Sequence, residues 1–243
     1  MGLYHGKNCR FYVGGYDIGA MVVSASPQMA VANAQVAVMD GSGYQTIKGP
    51  HNDSVAIEAL LDDNYMAALD NIRLTSTGSQ VIIPFGVTQG DHGLACSEAV
   101  LTKYKFNSVT TDVNKLTAEL KGQGVAWETI KNLHPAATRT TSGNGTSIDE
   151  LSATSAGCSA YLQIWGLGED DTLQVKIEQS TDNGSTDPFA ALITFTTLNG
   201  SVATRTAETK TTSNAVKQYI RVTWTFGGTP TYTGTFIVAW LRN

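Results

Sequence analysis

Charge is what this 243-residue chain has least of. Asp, Glu, Lys and Arg make up 15% of it, where about 25% is usual for a soluble domain. Gly, Thr, Ser and Ala fill the gap, which suits a surface used for extensive protein contact. The net charge of −5 argues against a dedicated nucleic-acid binder, because that task needs a basic patch to neutralise phosphates. Nowhere do 18 consecutive apolar residues occur, and the opening Met1-Gly2-Leu3-Tyr4-His5-Gly6-Lys7 has no apolar stretch. Neither an export signal nor a membrane helix is therefore expected. The three cysteines, Cys9, Cys96 and Cys158, are far apart and lack Cys-x-x-Cys spacing, which points to reduced, cytosolic assembly. His5, His51, His92 and His134 show no zinc-type spacing.

What is present is alternation. In Val100-Leu-Thr-Lys-Tyr104-Lys-Phe106, Val100, Thr102, Tyr104 and Phe106 share one face and Lys103 and Lys105 the other. Leu116, Ala118 and Leu120 repeat the pattern after a turn at residues 107–112, predicting an antiparallel hairpin with one solvated face. The stretch then passes through Gly122-Gln-Gly124 to Leu133-His134-Pro135. Upstream, Val55-Ala-Ile57-Glu-Ala59 alternates too and gives way to Leu61-Asp62-Asp63-Asn64, whose side chains can cap a helix. Tyr65, Met66, Leu69 and Ile72 would be its buried side.

These elements, with Gly6-Lys7-Asn8-Cys9-Arg10-Phe11-Tyr12-Val13 and Gly14-Gly15-Tyr16-Asp17-Ile18 before them, resemble the tail tube proteins of long-tailed, siphovirus-type bacteriophages over roughly residues 5 to 135. The resemblance implies a mainly β fold, a tail-tube-type sandwich or barrel with one short flanking helix. It implies a structural virion protein with no cofactor, metal or catalytic residue. Its copies would form a ring, hexameric or trimeric with pseudo-sixfold symmetry, and the rings would stack into the conduit for DNA ejection. Expected partners are other copies, the tape measure protein, tail-end proteins and double-stranded DNA in transient passage, but no membrane. The expected location is the phage tail, assembled in the bacterial host cytoplasm.

Residues 150–243 form a second block, joined by a small, polar segment that reads as a linker over 136–149. Strands are expected at Tyr161–Trp165, Thr172–Glu178, Leu192–Thr197, Gln218–Phe226 and Thr235–Leu241, giving a second, jelly-roll-like sandwich. Through Ser180-Thr-Asp-Asn-Gly184 and Tyr219-Ile-Arg-Val222 this block resembles β-sandwich domains appended to phage virion proteins. Residues 1–135 are expected to fold and form tubes without it.

Other constellations have ordinary explanations. His51-Asn52-Asp53-Ser54 and Asp91-His92 suggest a hydrolase set, but no Gly-x-Ser-x-Gly elbow accompanies them. Glu169-Asp170-Asp171 lacks the spacing of a calcium loop, and Ser180–Gly184 reads as a turn. Tyr161, Trp165, Trp224, Tyr232 and Trp240 offer a sugar-stacking platform, although Trp224 and Trp240 alternate as core residues do.

Residues 39–50 are longer than a hairpin needs, and Tyr44 and Ile47 are apolar anchors within them. The segment reads either as a mobile tip or, by the resemblance, as the loop that touches neighbouring subunits, with Met39, Tyr44, Ile47, Lys48 and Pro50 as interface candidates. A weakly acidic lining would let DNA slide. Glu58 and Glu119 are the candidates for it, unless Lys103, Lys105 and Lys115 neutralise them. The alternative function is a capsid decoration protein or a host-surface, glycan-binding adhesion protein.

Overall fold

The computed structural model describes residues 9–37, 44–60, 63–74, 77–107, 114–228 and 232–243. In chain order the strands of the first half are β1 (Tyr12–Val13), β2 (Tyr16–Asp17), β3 (Val22–Gln28), β4 (Val31–Ala37), β5 (Tyr44–His51) and β6 (Ser54–Leu60). Helix α1 (Asp63–Leu74) follows, then β7 (Ser79–Pro84), β8 (His92–Asn107), β9 (Lys115–Gly122) and β10 (Glu128–Arg139). The second half adds β11 (Gly143–Asn144), β12 (Ile148–Asp149), β13 (Cys158–Trp165), β14 (Thr172–Ser180) and β15 (Ala190–Thr194). It ends with β16 (Leu198–Asn199), β17 (Thr206–Thr212), β18 (Tyr219–Gly227) and β19 (Gly234–Arg242). The fold is mainly β, with curled antiparallel sheet and, among the described residues, one helix.

The chain divides into two compact units that interleave along the sequence. Unit 1 comprises the described residues through Ala20, Gln80–Ala95 and Glu128–Asn243, and unit 2 comprises Met21–Ser79 and Cys96–Trp127. This differs from a division at residue 135. β10 runs through that position, pairing residues 128–131 with β8 and residues 131–139 with β19.

Unit 1 is a two-layer structure. Its first sheet orders β17-β13-β19-β10 and continues through the start of β8 to β7, β1 and β2, and its second centres on β14 and β18. The apolar sides meet in one cluster. It takes Leu162 and Ile164 from β13, Val175 and Ile177 from β14, Val222 and Trp224 from β18, and Phe236 and Trp240 from β19. Full burial of each such side chain contributes roughly 1.5–3 kcal/mol. A second cluster, including Tyr12, Ile130, Tyr161 and Ile237, occupies the other face of the first sheet. β13 is consequently buried on both faces almost throughout. The alternation expected for β14 and β18 is the alternation observed.

The N-terminal hairpin is held by a buried amide. Gly14 and Gly15 have φ of 55° and 84°, the left-handed pair that closes a two-residue β-turn. Gln163, fully buried on β13, accepts the Gly15 N–H at 3.0 Å and donates to the carbonyls of Tyr12 and Gln80 at 3.3 and 3.2 Å. Gln80 in turn donates to Thr209 Oγ1 at 2.8 Å.

Residues 136–149 are built into the sheets, correcting the linker reading. Residues 136–139 belong to β10, while β11 and β12 pair with β18. Trp224 Nε1–H donates to the Thr141 carbonyl at 2.8 Å, and the Phe226 N–H donates to Ser142 Oγ at 2.9 Å. A Cβ at Gly143 would lie 3.3 Å from the Trp224 ring. These small residues carry no hydrophobic period because edge pairing and an approaching indole order them. β17 and β3 were also silent in sequence. The first is a polar strand beside β13, and the second carries Pro27 and pairs, among the described strands, with β6 alone, as an edge strand can.

His134 lies in the unit 1 core, 3% exposed, stacked on Phe236 with ring centroids 4.5 Å apart. Arg139 Nη2 donates to its Nε2 at 2.8 Å, so the imidazole is neutral with its proton on Nδ1. Burial first, and the neighbouring guanidinium second, bring its pKa down to about 4 from 6.5.

Two expectations follow for unit 1. The unfolded chain protonates His134 first as pH falls, so the contribution of its neutral state is complete above about pH 6.5 and is lost down to about pH 4, roughly 3 kcal/mol in all. Urea midpoints at pH 7.5 and 4.5 will differ less in His134→Gln than in the parent; equal differences would refute the assignment. A chain ending at Thr140 lacks Gln163, β13 and β19, and is expected to lose the cooperative unfolding of unit 1 and to bind a hydrophobic dye. A sharp unit 1 transition in that truncation would restore residues 1–135 as an independent domain.

Candidate functional site

In unit 2, β3, β6, β9 and the later part of β8 form a sheet in that order. Val55, Ile57, Ala59, Leu116, Ala118 and Leu120 are buried on one face. Helix α1 begins at Asp63 and buries Ala68, Leu69 and Ile72, while Tyr104 Oη donates to Met66 Sδ at 3.3 Å. The other face is a carpet of small polar residues. Ser24 is opposite Glu58, Ser26 opposite Ala56, Ala56 opposite Glu119, and Thr117 opposite both Glu58 and Lys105.

Most of the charge on this face is paired. Lys103 Nζ reaches Glu119 at 2.6 Å, Lys121 reaches the same carboxylate at 3.8 Å, and Lys115 reaches Glu58 at 3.2 Å. The hydrogen bond from Lys103 holds the Glu119 carboxyl below its ordinary range. Each exposed pair contributes at most about 1 kcal/mol, yet together they remove the free negative charge on which an acidic lining would depend. Glu58 and Glu119 do share a face, but Lys103, Lys105, Lys115 and Lys121 share it too, so it is not acidic. The face is also less regular than simple alternation implies. A bulge between Leu101 and Lys103 puts Val100, opposite Lys121, and Lys103, opposite Glu119, on the same side.

The interface candidates are not in a loop. Tyr44, Ile47, Lys48 and Pro50 belong to β5, which pairs with β4 through Ala37 opposite Tyr44, Ala34 opposite Ile47 and Asn33 opposite Lys48. Met39 lies outside the described residues. The sequence signal was missed because Gly49-Pro50 looks like a strand terminator, whereas Pro is tolerated on an exposed edge. β4 and β5 form a two-stranded sheet, paired with no other described strand.

Asp53 organises the base of this hairpin. It is 6% exposed. Its Oδ1 accepts the Ala30 N–H at 2.8 Å and its Oδ2 accepts the Trp127 N–H at 3.3 Å, with His51 Nδ1 3.6 Å from Oδ2. The Asn52 N–H donates to the Ala30 carbonyl at 2.8 Å. What reads in sequence as a possible hydrolase constellation is a backbone clamp. The only sequence signal for it was an Asx residue between two strands.

In unit 1 the other motifs serve the fold. Asp171, 4% exposed, accepts the Thr233 N–H at 3.0 Å. Asp182 accepts backbone N–H groups of Ser185 and Asp187 and both donors of Thr186, which hold its carboxyl far below the usual range. Lys217 pairs with Asp187 at 2.7 Å. Among the described residues no cluster of three or more His, Cys, Asp or Glu is placed to hold a metal ion. Tyr161, Trp224 and Trp240 are buried, which closes the five-aromatic platform.

No protein-family model matches the chain, and no curated protein matches it. Among solved structures it is similar to a chain of the PVC sheath-tube complex, an extracellular contractile injection system in the extended state. That likeness has 12% identity and a TM-score of 0.42, over 52% of this chain and 90% of the other. A chain of the native gene transfer agent virion gives 8% and 0.43, over 52% and 98%. The SPP1 Dit protein, of a hub adsorption apparatus in phages infecting Gram-positive bacteria, gives 9% and 0.35, over 96% and 99%. Likenesses at these values leave function to be argued from the residues themselves.

Proposed function

We propose that this chain is a structural protein of a phage tail, whose copies form rings that stack into a tube for the passage of double-stranded DNA. The observation that carries the reading is the β4–β5 hairpin. A two-stranded sheet is marginal in water without a third partner, and an edge of unpaired N–H and C=O groups recruits another strand. A second copy of the chain supplies one. Cyclic symmetry then closes the ring, hexameric or trimeric with pseudo-sixfold symmetry, and a head-to-tail contact extends it. Exposed Val23, Met29 and Phe106 of unit 2 give further apolar surface for neighbours to cover. In this reading Met39, Tyr44, Ile47, Lys48 and Pro50 belong to the contact between copies, and the tape measure and tail-end proteins are further partners in the virion.

The face bearing Glu58 and Glu119 is the channel lining in this proposal. Its Ser, Thr and Ala side chains offer DNA no stacking platform, and of its four lysines three, Lys103, Lys115 and Lys121, are paired with carboxylates. Passage needs that balance, since each ammonium left to neutralise a phosphate adds affinity by counterion release.

Negative-stain microscopy of the purified chain is expected to show stacked rings or tubes; discrete trimers would favour a capsid decoration or adhesion protein. Tyr44→Ala with Ile47→Ala is expected to abolish rings while moving the thermal midpoint by no more than about 2 °C, because a lone hairpin adds little to either core. Normal ring formation by that variant would remove the hairpin from the interface. Glu58→Gln with Glu119→Gln is expected to make assembled protein retain duplex DNA at 50 mM salt and release it by about 200 mM. Retention no different from the parent would remove this face from the channel.

A further inference from the structure

Unit 1 carries a cleft of about 380 Å³. Arg10, Tyr12, Asp17, Asn132, Trp165 and Ile237 are among its lining residues. Tyr12 and Trp165 stack, with centroids 5.1 Å apart and planes at 28°. Tyr12 is buried, whereas Trp165 remains partly open to solvent.

Asn132 is the informative residue. It is 1% exposed, and its backbone N–H and C=O are both bonded, to the Asp91 carbonyl and the Gly90 N–H. Its side-chain Oδ1 is buried without a donor among the described residues. An orphaned buried acceptor costs about 1–3 kcal/mol, and a donor arriving in the cleft would recover that loss. Asp17 adds a carboxylate, of which one oxygen accepts the Gly19 N–H at 3.0 Å, so acceptor capacity remains. Arg10 adds a positive charge; burial raises the Asp17 carboxyl, and the Gly19 N–H and the Arg10 guanidinium oppose that rise.

From this arrangement we infer that the cleft binds a neutral pyranose ring. With Arg10 and Asp17 both in the lining, the cleft offers neither a cation nor an anion a net electrostatic attraction. A purely apolar ligand would leave Asn132 Oδ1 unsatisfied. A sugar ring has hydroxyl donors for Asn132 and Asp17 and an apolar C–H face to lie on the Trp165 indole. The volume lies within the usual range for small-molecule sites and accommodates one ring with its substituents. The site is independent of the hairpin and of the proposed channel face.

The test is saturation-transfer difference NMR on the full chain, which works whether or not the protein assembles. The probes are glucose, galactose, mannose and N-acetylglucosamine, each as the free sugar and as its methyl glycoside, with glycerol as a ringless control. At least one pyranose is expected to show saturable transfer to the C–H protons of one ring face, with Kd on the order of millimolar, and glycerol none. Binding by methyl glycosides identifies the ligand as a chain-terminal sugar, and binding by free sugars alone identifies a reducing monosaccharide. Asn132→Leu and Asp17→Asn should each weaken binding about tenfold without lowering the thermal midpoint, since neither removes a hydrogen bond between sheets. Absence of transfer from every pyranose, or transfer unchanged in both variants, would overturn the proposal.

Discussion

The Gln163 side chain is the interaction on which unit 1 depends. One amide, with no access to water, satisfies the turn N–H of Gly15 and the carbonyls of Tyr12 and Gln80. These three backbone groups come from segments separated from it by 83 to 151 residues. Buried backbone groups must be paired, so a side chain at this one position decides that the N-terminal hairpin and β7 belong with β13. Removing the amide would leave several polar groups stranded together, each costing about 1–3 kcal/mol.

The same logic governs the rest of unit 1. β10 has partners on both edges, β8 on one and β19 on the other, with bulges near His134 that let the strand bend. His134 can sit among Phe236 and Trp224 only as a neutral ring, and Arg139 enforces that state by donating to Nε2. Polar groups in this unit are therefore not decoration on an apolar core. They determine which strands may adjoin it.

Unit 2 solves a different problem. One side of its sheet is closed by its own apolar residues and α1, while the other presents Ser, Thr and Ala with most of its charges paired. Such a face does not demand burial. The β4–β5 hairpin does the opposite, since its edges have no described partner within the chain.

Local order was legible in the residues. Alternation located β6, β9, β14, β18 and β19, and the acidic run before Tyr65 marked the start of α1, because each depends on neighbours two to four positions away. Pairing and partition were not legible. The Thr- and Ser-rich stretch after Pro135 has no period, yet Trp224 and β18 order it from more than 70 residues away. Tyr44 to Pro50 has turn-forming residues, yet β4 makes it a strand. The division into two interleaved units, the pairing of Glu58 and Glu119 with lysines, and the stranded acceptor of Asn132 all depend on which distant groups come within hydrogen-bonding distance. Sequence by itself determined which faces are apolar, since that is a property of adjacent side chains. Only the tertiary structure decided what those faces and their polar exceptions meet, because hydrogen bonds and ion pairs act over a few ångströms in space and carry no trace in sequence separation.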